Sequence, residues 1–339
     1  MPETVSRRAL LSALGVGAVG ACATVNDAHA TPRVLETPDA AFERLPDFAF
    51  APHFATIRDD NLGRLRIHYT DEGPRNAPAI VLLHGQPSWS YLYRHQIAHL
   101  SRRGYRVIAV DLVGYGRSDK PSLVADHSYA GHVQWMTSFF QSLSLNKPNV
   151  VVHDWGGLIG LPILAENPDR FGRLVVLNTS LPDGSDPTTP EYDRAFDAWI
   201  RFLQTAPKIE PSRVIEAQTL KTLSAAEAAA YDAPYISNDL TAGPRAMSAL
   251  VPRRPADPFA ARNAQVRQQL KSWPNPVLIA FSADSNRLHP GQHALFSGLF
   301  KQQRIWRDVE VPGTQHFLLE DAPELISALI DDFIAETKL

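Results

Sequence analysis

The segment Val150-Val151-Val152-His153-Asp154-Trp155-Gly156-Gly157 joins an apolar run to a carboxylate and two glycines. Such a run reads as a buried strand. The glycines permit a tight strand-to-helix turn with a reactive side chain at its apex, and Asp154 stands there. A carboxylate with the ordinary pKa of about 3.9 is ionised at neutral pH, so it needs no base before it attacks. It can attack an sp3 carbon that bears a leaving group. The product is an ester of the protein, which water must then hydrolyse. Halide or an epoxide oxygen suits this chemistry as leaving group. Asp is also a good helix N-cap, so the reading depends on what else the chain supplies.

Hydrolysis of an ester needs an oxyanion site, a base and a group that orients the base. His84-Gly85-Gln86-Pro87 follows the apolar run 79–83. The backbone N–H groups of Gln86 and Trp155 are the candidate oxyanion donors. Val311-Pro312-Gly313-Thr314-Gln315-His316-Phe317 places His316 in a loop after the last strand run, where a base is expected. The chain has 12 histidines, so most are bystanders. His153 should face away from the nucleophile, because neighbours on a strand point to opposite sides. His289 and His293 read as loop or helix residues. The acid should follow the strand run 277–281, and Asp284 is the only carboxylate in Ser282-Ala283-Asp284-Ser285-Asn286. The end of the preceding strand run offers Asn178, which cannot serve as the anion. Nucleophile, acid and histidine thus follow one another as Asp154, Asp284 and His316.

The elements that must hold these residues are legible. A hairpin is expected near 54–58 and 64–70, around the turn Asp59-Asp60-Asn61-Leu62-Gly63. Apolar runs follow at 79–83, 107–110, 150–152, 174–177, 277–281 and, more weakly, 309–311. Helical patterns lie near 90–102, 128–143, 157–166 and 322–336. Short all-apolar strands alternating with helices predict an α/β fold with a mostly parallel sheet covered on both faces. The alternation breaks over residues 183–262, which read as helical, Ala-rich and interrupted by prolines. That stretch predicts an inserted helical cap over the carboxyl ends of the strands, where open α/β sheets bind ligands. The core is then residues 31–182 and 263–339, opening with a Pro-rich extended arm over residues 31–47.

Composition sets bounds. The chain has 339 residues, 44% of them hydrophobic, and a formal net charge of -3. That supports one large core and gives no basic surface for nucleic acid. No run is long and apolar enough for a membrane span. No cofactor motif or metal-ligand cluster is evident. Residues 1–30 read as an export signal. Ser6-Arg7-Arg8-Ala9-Leu10-Leu11 is a twin-arginine pattern, an apolar run continues to Ala21, and Ala28-His29-Ala30 is a small-x-small cleavage site. The order predicts transfer by the twin-arginine machinery to the periplasm. The single cysteine, Cys22, lies within this signal in a poor lipobox, so a lipoprotein anchor is the lesser alternative.

Three segments carry a family resemblance. His84-Gly85-Gln86-Pro87-Ser88-Trp89-Ser90-Tyr91-Leu92-Tyr93-Arg94, Asp111-Leu112-Val113-Gly114-Tyr115-Gly116-Arg117-Ser118-Asp119-Lys120-Pro121 and His153-Asp154-Trp155-Gly156-Gly157 resemble the haloalkane dehalogenases of the α/β-hydrolase superfamily. The likeness runs from about residue 45 to the C-terminus and includes the cap. It implies a small apolar haloalkane and water as substrates. It also implies two indole N–H donors around the leaving halide, from Trp155 after the nucleophile and from Trp199 in Phe196-Asp197-Ala198-Trp199. The subfamily implied has its acid after the later strand. Gln86 departs from the family's usual residues at its position. An epoxide hydrolase, protonating its leaving oxygen with cap tyrosines such as Tyr192, Tyr231 or Tyr235, is the main alternative. A hydrolase fold that only binds a ligand is another.

Overall fold

A computed structural model describes residues 34–288, 290–301 and 305–339. The expected export signal with Cys22, and His289, lie outside the described residues. The strands are β1 (Val34–Leu35), β2 (His53–Asp59), β3 (Gly63–Glu72), β4 (Ala79–Leu83), β5 (Arg106–Val110), β6 (Lys120–Pro121), β7 (Asn149–His153), β8 (Leu174–Leu177), β9 (Val277–Ser282) and β10 (Ile305–Val311). Eight form one sheet in the order β10-β9-β8-β7-β4-β5-β3-β2. The six strands from β10 to β5 run parallel. The β2–β3 hairpin closes one edge antiparallel, as expected. β4, β7, β8 and β9 are buried at every position, which is what a sheet covered on both faces requires.

Side-chain alternation sorts two apolar layers. Val81, Leu83, Val150 and Val152 face one layer. Ile80, Leu82 and Val151 face the other. Helices α1 (Arg94–Arg102) and α11 (Pro323–Glu336) pack together on the second layer through Ile97, Leu100, Ile330 and Phe333. α2 (Tyr129–Ser142) and α3 (Trp155–Glu166) pack on the first through Trp135, Phe139 and Leu158. The chain leaves β4 towards β5 on one side, and β7 lies on the other side of β4. This reversal opens a crevice at the carboxyl ends of β4 and β7. The segments His84–Pro87 and Asp154–Gly157 emerge there.

Between β8 and β9 stand α4 (Pro190–Thr205), α5 (Pro211–Glu216), α6 (Ala225–Asp232), α7 (Ala242–Met247) and α8 (Ala260–Leu270). The first four form the inserted cap. Thr189 caps α4 by accepting from the Tyr192 N–H, and Ser224 and Glu227 form a reciprocal capping box on α6. α8 instead packs on α3 in the core. The expected cap limit at residue 262 therefore falls inside the first turn of a core helix. Two further details differ from expectation. The arm at 31–47 contributes a short strand, because Val34–Leu35 pairs antiparallel with Lys120–Pro121. The expected helix at 90–102 begins as a 3-10 turn over Ser90–Tyr93. After β9 come α9 (Gln292–Leu299) and, following the His316 loop, α10 (Leu318–Asp321).

A buried ionic cluster ties cap to core. The Arg94 guanidinium, wholly buried, donates to both oxygens of Glu320 on α10, Nη2 to Oε2 at 2.9 Å, and to Glu227 of the cap at 3.1 Å. Lys221 donates to Glu227 at 2.6 Å and to Glu320 at 3.2 Å. The Tyr231 hydroxyl donates to Glu320 as well. Breaking a buried pair strands a desolvated charge, which typically costs roughly 3–5 kcal/mol. Glu320→Ala should therefore lower the thermal midpoint by several degrees or more, while Glu324→Ala, at an exposed site, should not. Thermal unfolding followed by circular dichroism reads the difference.

Candidate active site

Asp154 lies at the turn between β7 and α3 with φ 49° and ψ -123°. A non-glycine residue with positive φ is strained and persists only where its surroundings hold it. The surroundings here are tight. A Cβ on Gly156 would sit 2.0 Å from the Leu83 carbonyl oxygen, and one on Gly157 2.0 Å from Thr179 Oγ1. A Cβ on Gly85 would sit 2.2 Å from Oδ1 of Asp154 itself. Thr179 Oγ1 donates to the Asp154 carbonyl at 2.6 Å, fastening the turn to the end of β8.

The carboxylate rests in a backbone cradle. The Gln86 N–H donates to Oδ1 at 2.8 Å, and the Trp155 N–H is the second backbone donor. Burial pushes the Asp154 pKa up to about 6, against the pull of these two bonds. The same N–H pair is placed for charge that later develops on the ester oxygen. Gly85 and Gln86 are held by His84. Its Nδ1 donates to the Gly85 carbonyl at 2.8 Å, and its Nε2 accepts from the Leu112 N–H at 3.0 Å. Burial holds the His84 pKa below its usual value, so the ring works as a neutral strut. Asp111 ties down the loop behind it, accepting from the Ser90 N–H and the Arg117 N–H at 2.8 Å each and pairing with His68 at 2.7 Å.

His316 is brought to the nucleophile, with Nε2 at 3.6 Å from Asp154 Oδ2. That is longer than a hydrogen bond. Its main chain is clamped. The His316 carbonyl accepts from Asn178 Nδ2 and from His153 Nε2, each at 2.9 Å. His153 lies against the histidine loop, its ring 4.8 Å from that of His316, a task that sequence reading missed. Asn178 holds Ser282 N at 2.8 Å with its Oδ1 and the Gln315 carbonyl at 3.0 Å with its Nδ2, so it joins the ends of β8 and β9 to the histidine loop.

Asp284 is where the structure departs from expectation. It is the N-cap residue of a 3-10 turn, Ser285–Arg287. Its Oδ2 accepts from Arg287 Nε at 3.0 Å, with the side chain 52% exposed. The i,i+3 spacing offers a cation at the surface, and the carboxylate turns outward to it rather than to His316.

The two expected indoles have different surroundings. Trp155 is buried, and its ring meets Tyr129 edge-on, centroids 5.3 Å apart. Trp199 on α4 donates from Nε1 to Ser248 Oγ at 2.9 Å. Gln86 Nε2 donates to the same oxygen at 3.1 Å. Ser248 follows α7, in a stretch with no motif that could have marked it in the sequence. Two of the three tyrosines considered for an epoxide hydrolase are engaged elsewhere, Tyr231 with Glu320 and Tyr192 with the Leu288 carbonyl at 3.3 Å. Among the described residues, no group of three or more His, Cys, Asp or Glu is placed to hold a metal. None of the described helices is long and apolar enough to cross a membrane.

Comparison with known proteins agrees with this geometry. A model of the alpha/beta hydrolase fold matches residues 78–323. A haloalkane dehalogenase of Psychrobacter cryohalolentis is 40% identical over 302 residues, covering 89% of this chain and 98% of the relative. One from Mycolicibacterium paratuberculosis is 46% identical over 250 residues, 74% of this chain and 82% of the relative. Among solved structures, the tetrameric haloalkane dehalogenase DpaA from Paraglaciecola agarilytica superposes with a TM-score of 0.80 at 25% identity, covering 91% of this chain and 99% of that one.

The raised pKa has a kinetic consequence. A carboxylate nucleophile attacks only as the anion, so if Asp154 is that group the rate of halide release under kcat/KM conditions should fall as pH drops through about 6, approaching about tenfold per unit. Stopped-flow halide release across pH 4.5–8 measures this; a profile flat down to roughly pH 4.5 would put the nucleophile's pKa near that of a free carboxylate.

Proposed function

The chain belongs to the haloalkane dehalogenases, hydrolases that release halide from haloalkanes, and on that premise we propose how its residues divide the reaction. The observation that carries the assignment is the Asp154 carboxylate held by Gln86 N–H at the strained turn. Oδ1 stays with the backbone donors while Oδ2, on the His316 side, attacks the carbon. The carbon–oxygen bond forms as the carbon–halogen bond breaks, and the halide leaves with the bonding pair. Trp155 and Trp199 solvate that charge with indole N–H groups, which donate and do not compete as nucleophiles.

In the second step, water loses a proton to His316 and attacks the carbonyl carbon of the alkyl ester. The tetrahedral oxyanion is stabilised by the Gln86 and Trp155 N–H groups. The protonated His316 then returns a proton to the departing alcohol, and the carboxylic acid left on Asp154 loses the water's second proton to solvent, which regenerates the anion. Asp284 serves as the acid that orients His316 once it leaves Arg287. Exposed ion pairs are worth at most about 1 kcal/mol, so the Asp284–Arg287 pair is a weak competitor. It is also the only carboxylate in the turn after β9.

His316→Phe should release about one halide per protein and stop, with the alkyl group left on Asp154 and visible by mass spectrometry after 1,2-dibromoethane. Asp284→Asn should slow ester hydrolysis far more than ester formation, and Arg287→Ala should leave turnover intact. Unimpaired turnover in Asp284→Asn would remove Asp284 from the mechanism.

The chain's N-terminal sequence supports a periplasmic location, with Arg7 and Arg8 followed by an apolar run and the Ala28-His29-Ala30 site. Arg7→Lys with Arg8→Lys should retain the precursor in the cytoplasm of a bacterial host. Cell fractionation with dehalogenase assay reads this, and unchanged periplasmic activity would refute twin-arginine export.

A further inference from the structure

Two N–H donors, one from the core and one from the cap, converge on a single side-chain oxygen. Trp199 Nε1 reaches Ser248 Oγ at 2.9 Å and Gln86 Nε2 reaches it at 3.1 Å. An indole N–H can only donate, so Ser248 is the acceptor for Trp199 whichever way the Gln86 amide is turned. Ser248 is 6% exposed and its bond to Gln86 is buried, while its bond to the half-buried Trp199 is partly buried. The other carboxamide atom of Gln86, Oε1, is buried and has no hydrogen-bond partner. Gln86 also contributes the backbone N–H that holds the nucleophile. The Ser248 hydroxyl is therefore linked through Gln86 to the residue that holds the carboxylate, and it occupies the indole donor assigned to the cap side of the halide site.

We propose that Ser248 is an internal competitor for the leaving halide: it accepts the Trp199 N–H when the site is empty, yields it when halide forms, and takes it back as halide departs. The inference rests on the assignment of Trp199 as a halide donor. A buried donor left unpaired is unfavourable. An empty site lacking the Ser248 oxygen would leave the indole N–H without its side-chain partner, and a halide would bind it without displacing a protein hydrogen bond. With the serine present, each halide must first displace a neutral hydrogen bond, so binding is weaker and release faster. Ser248 is thus a positioning residue that sets halide affinity and, through it, product release. The predicted effect is the reverse of that for a direct ligand, whose loss would weaken binding.

Bromide titration followed by tryptophan fluorescence tests this on the folded protein, with the halide-release rate measured by stopped flow. Ser248→Ala should bind bromide roughly three- to tenfold more tightly, the equivalent of about one neutral hydrogen bond, and should show stronger product inhibition by bromide. Ser248→Thr keeps the hydroxyl and should restore the wild-type constant. Bromide affinity that is unchanged or weaker in Ser248→Ala, with Trp199→Phe binding bromide less well than wild type, overturns the competitor role alone. If Trp199→Phe binds bromide like wild type, the halide-donor assignment fails and this inference fails with it.

Discussion

The rest of the site depends on one hydrogen bond, from the Gln86 backbone N–H to Oδ1 of Asp154. The nucleophile must be an anion and must also be buried with an apolar substrate. Those demands conflict, because burial favours the neutral acid. Two backbone N–H groups reconcile them in part, leaving a carboxyl whose pKa stands at about 6 rather than far higher. The same demand explains the glycines. Gly85 brings its backbone so close to the carboxylate that any side chain there would overlap it, and Gly156 allows α3 to start against the end of β4. The neutral His84 strut and the Asp111 knot then fix the loop that supplies the donor.

The cap is coupled to the histidine loop by more than its position above the crevice. Asp321 accepts from the Leu220 and Lys221 N–H groups of the cap at 2.6 and 3.1 Å through Oδ1, and from Gln315 N–H at 2.7 Å through Oδ2. The Phe317 N–H donates to the Gln218 carbonyl at 3.3 Å. These bonds flank His316 on both sides, and the Arg94–Glu320–Glu227 cluster lies directly behind them. Any displacement of the segment 218–227 would therefore be felt by the base. Through Trp199 and Ser248 the cap also reaches Gln86, whose backbone holds Asp154.

Much of this was legible in the sequence, for identifiable reasons. All-apolar runs in a doubly covered sheet are unambiguous, so the parallel strands and the hairpin stood where expected. Asp154, Gln86, Trp155 and His316 stand together at strand ends because strand-to-turn context confines each to one. The short β1–β6 ladder was not, since two residues of strand carry no periodicity. The limit of the cap was missed because α8 has a composition no different from that of the cap helices, and only its packing on α3 assigns it to the core. Ser248 was invisible for a related reason. Its role comes from two partners, Gln86 and Trp199, that are distant in sequence and brought together only by the folding of the cap over the core.

Asp284 and His153 show where sequence order and geometry part. Asp284 lies in the expected turn, and its carboxylate pairs at the surface with a cation three residues on. The base does not lose its place for that reason, because its position is set largely through its main chain. Asn178 and His153 both donate to the His316 carbonyl, from two different strands, at 2.9 Å. Asn178 also grips the end of β9 through Ser282. The polar groups at the ends of β7 and β8 thus converge on the backbone of one loop residue, and Ser282 at the end of β9 braces Asn178. A carboxylate acting on the imidazole has only the ring left to orient and its charge to balance. Clamped in this way, His316 presents Nε2 at 3.6 Å from Asp154 Oδ2.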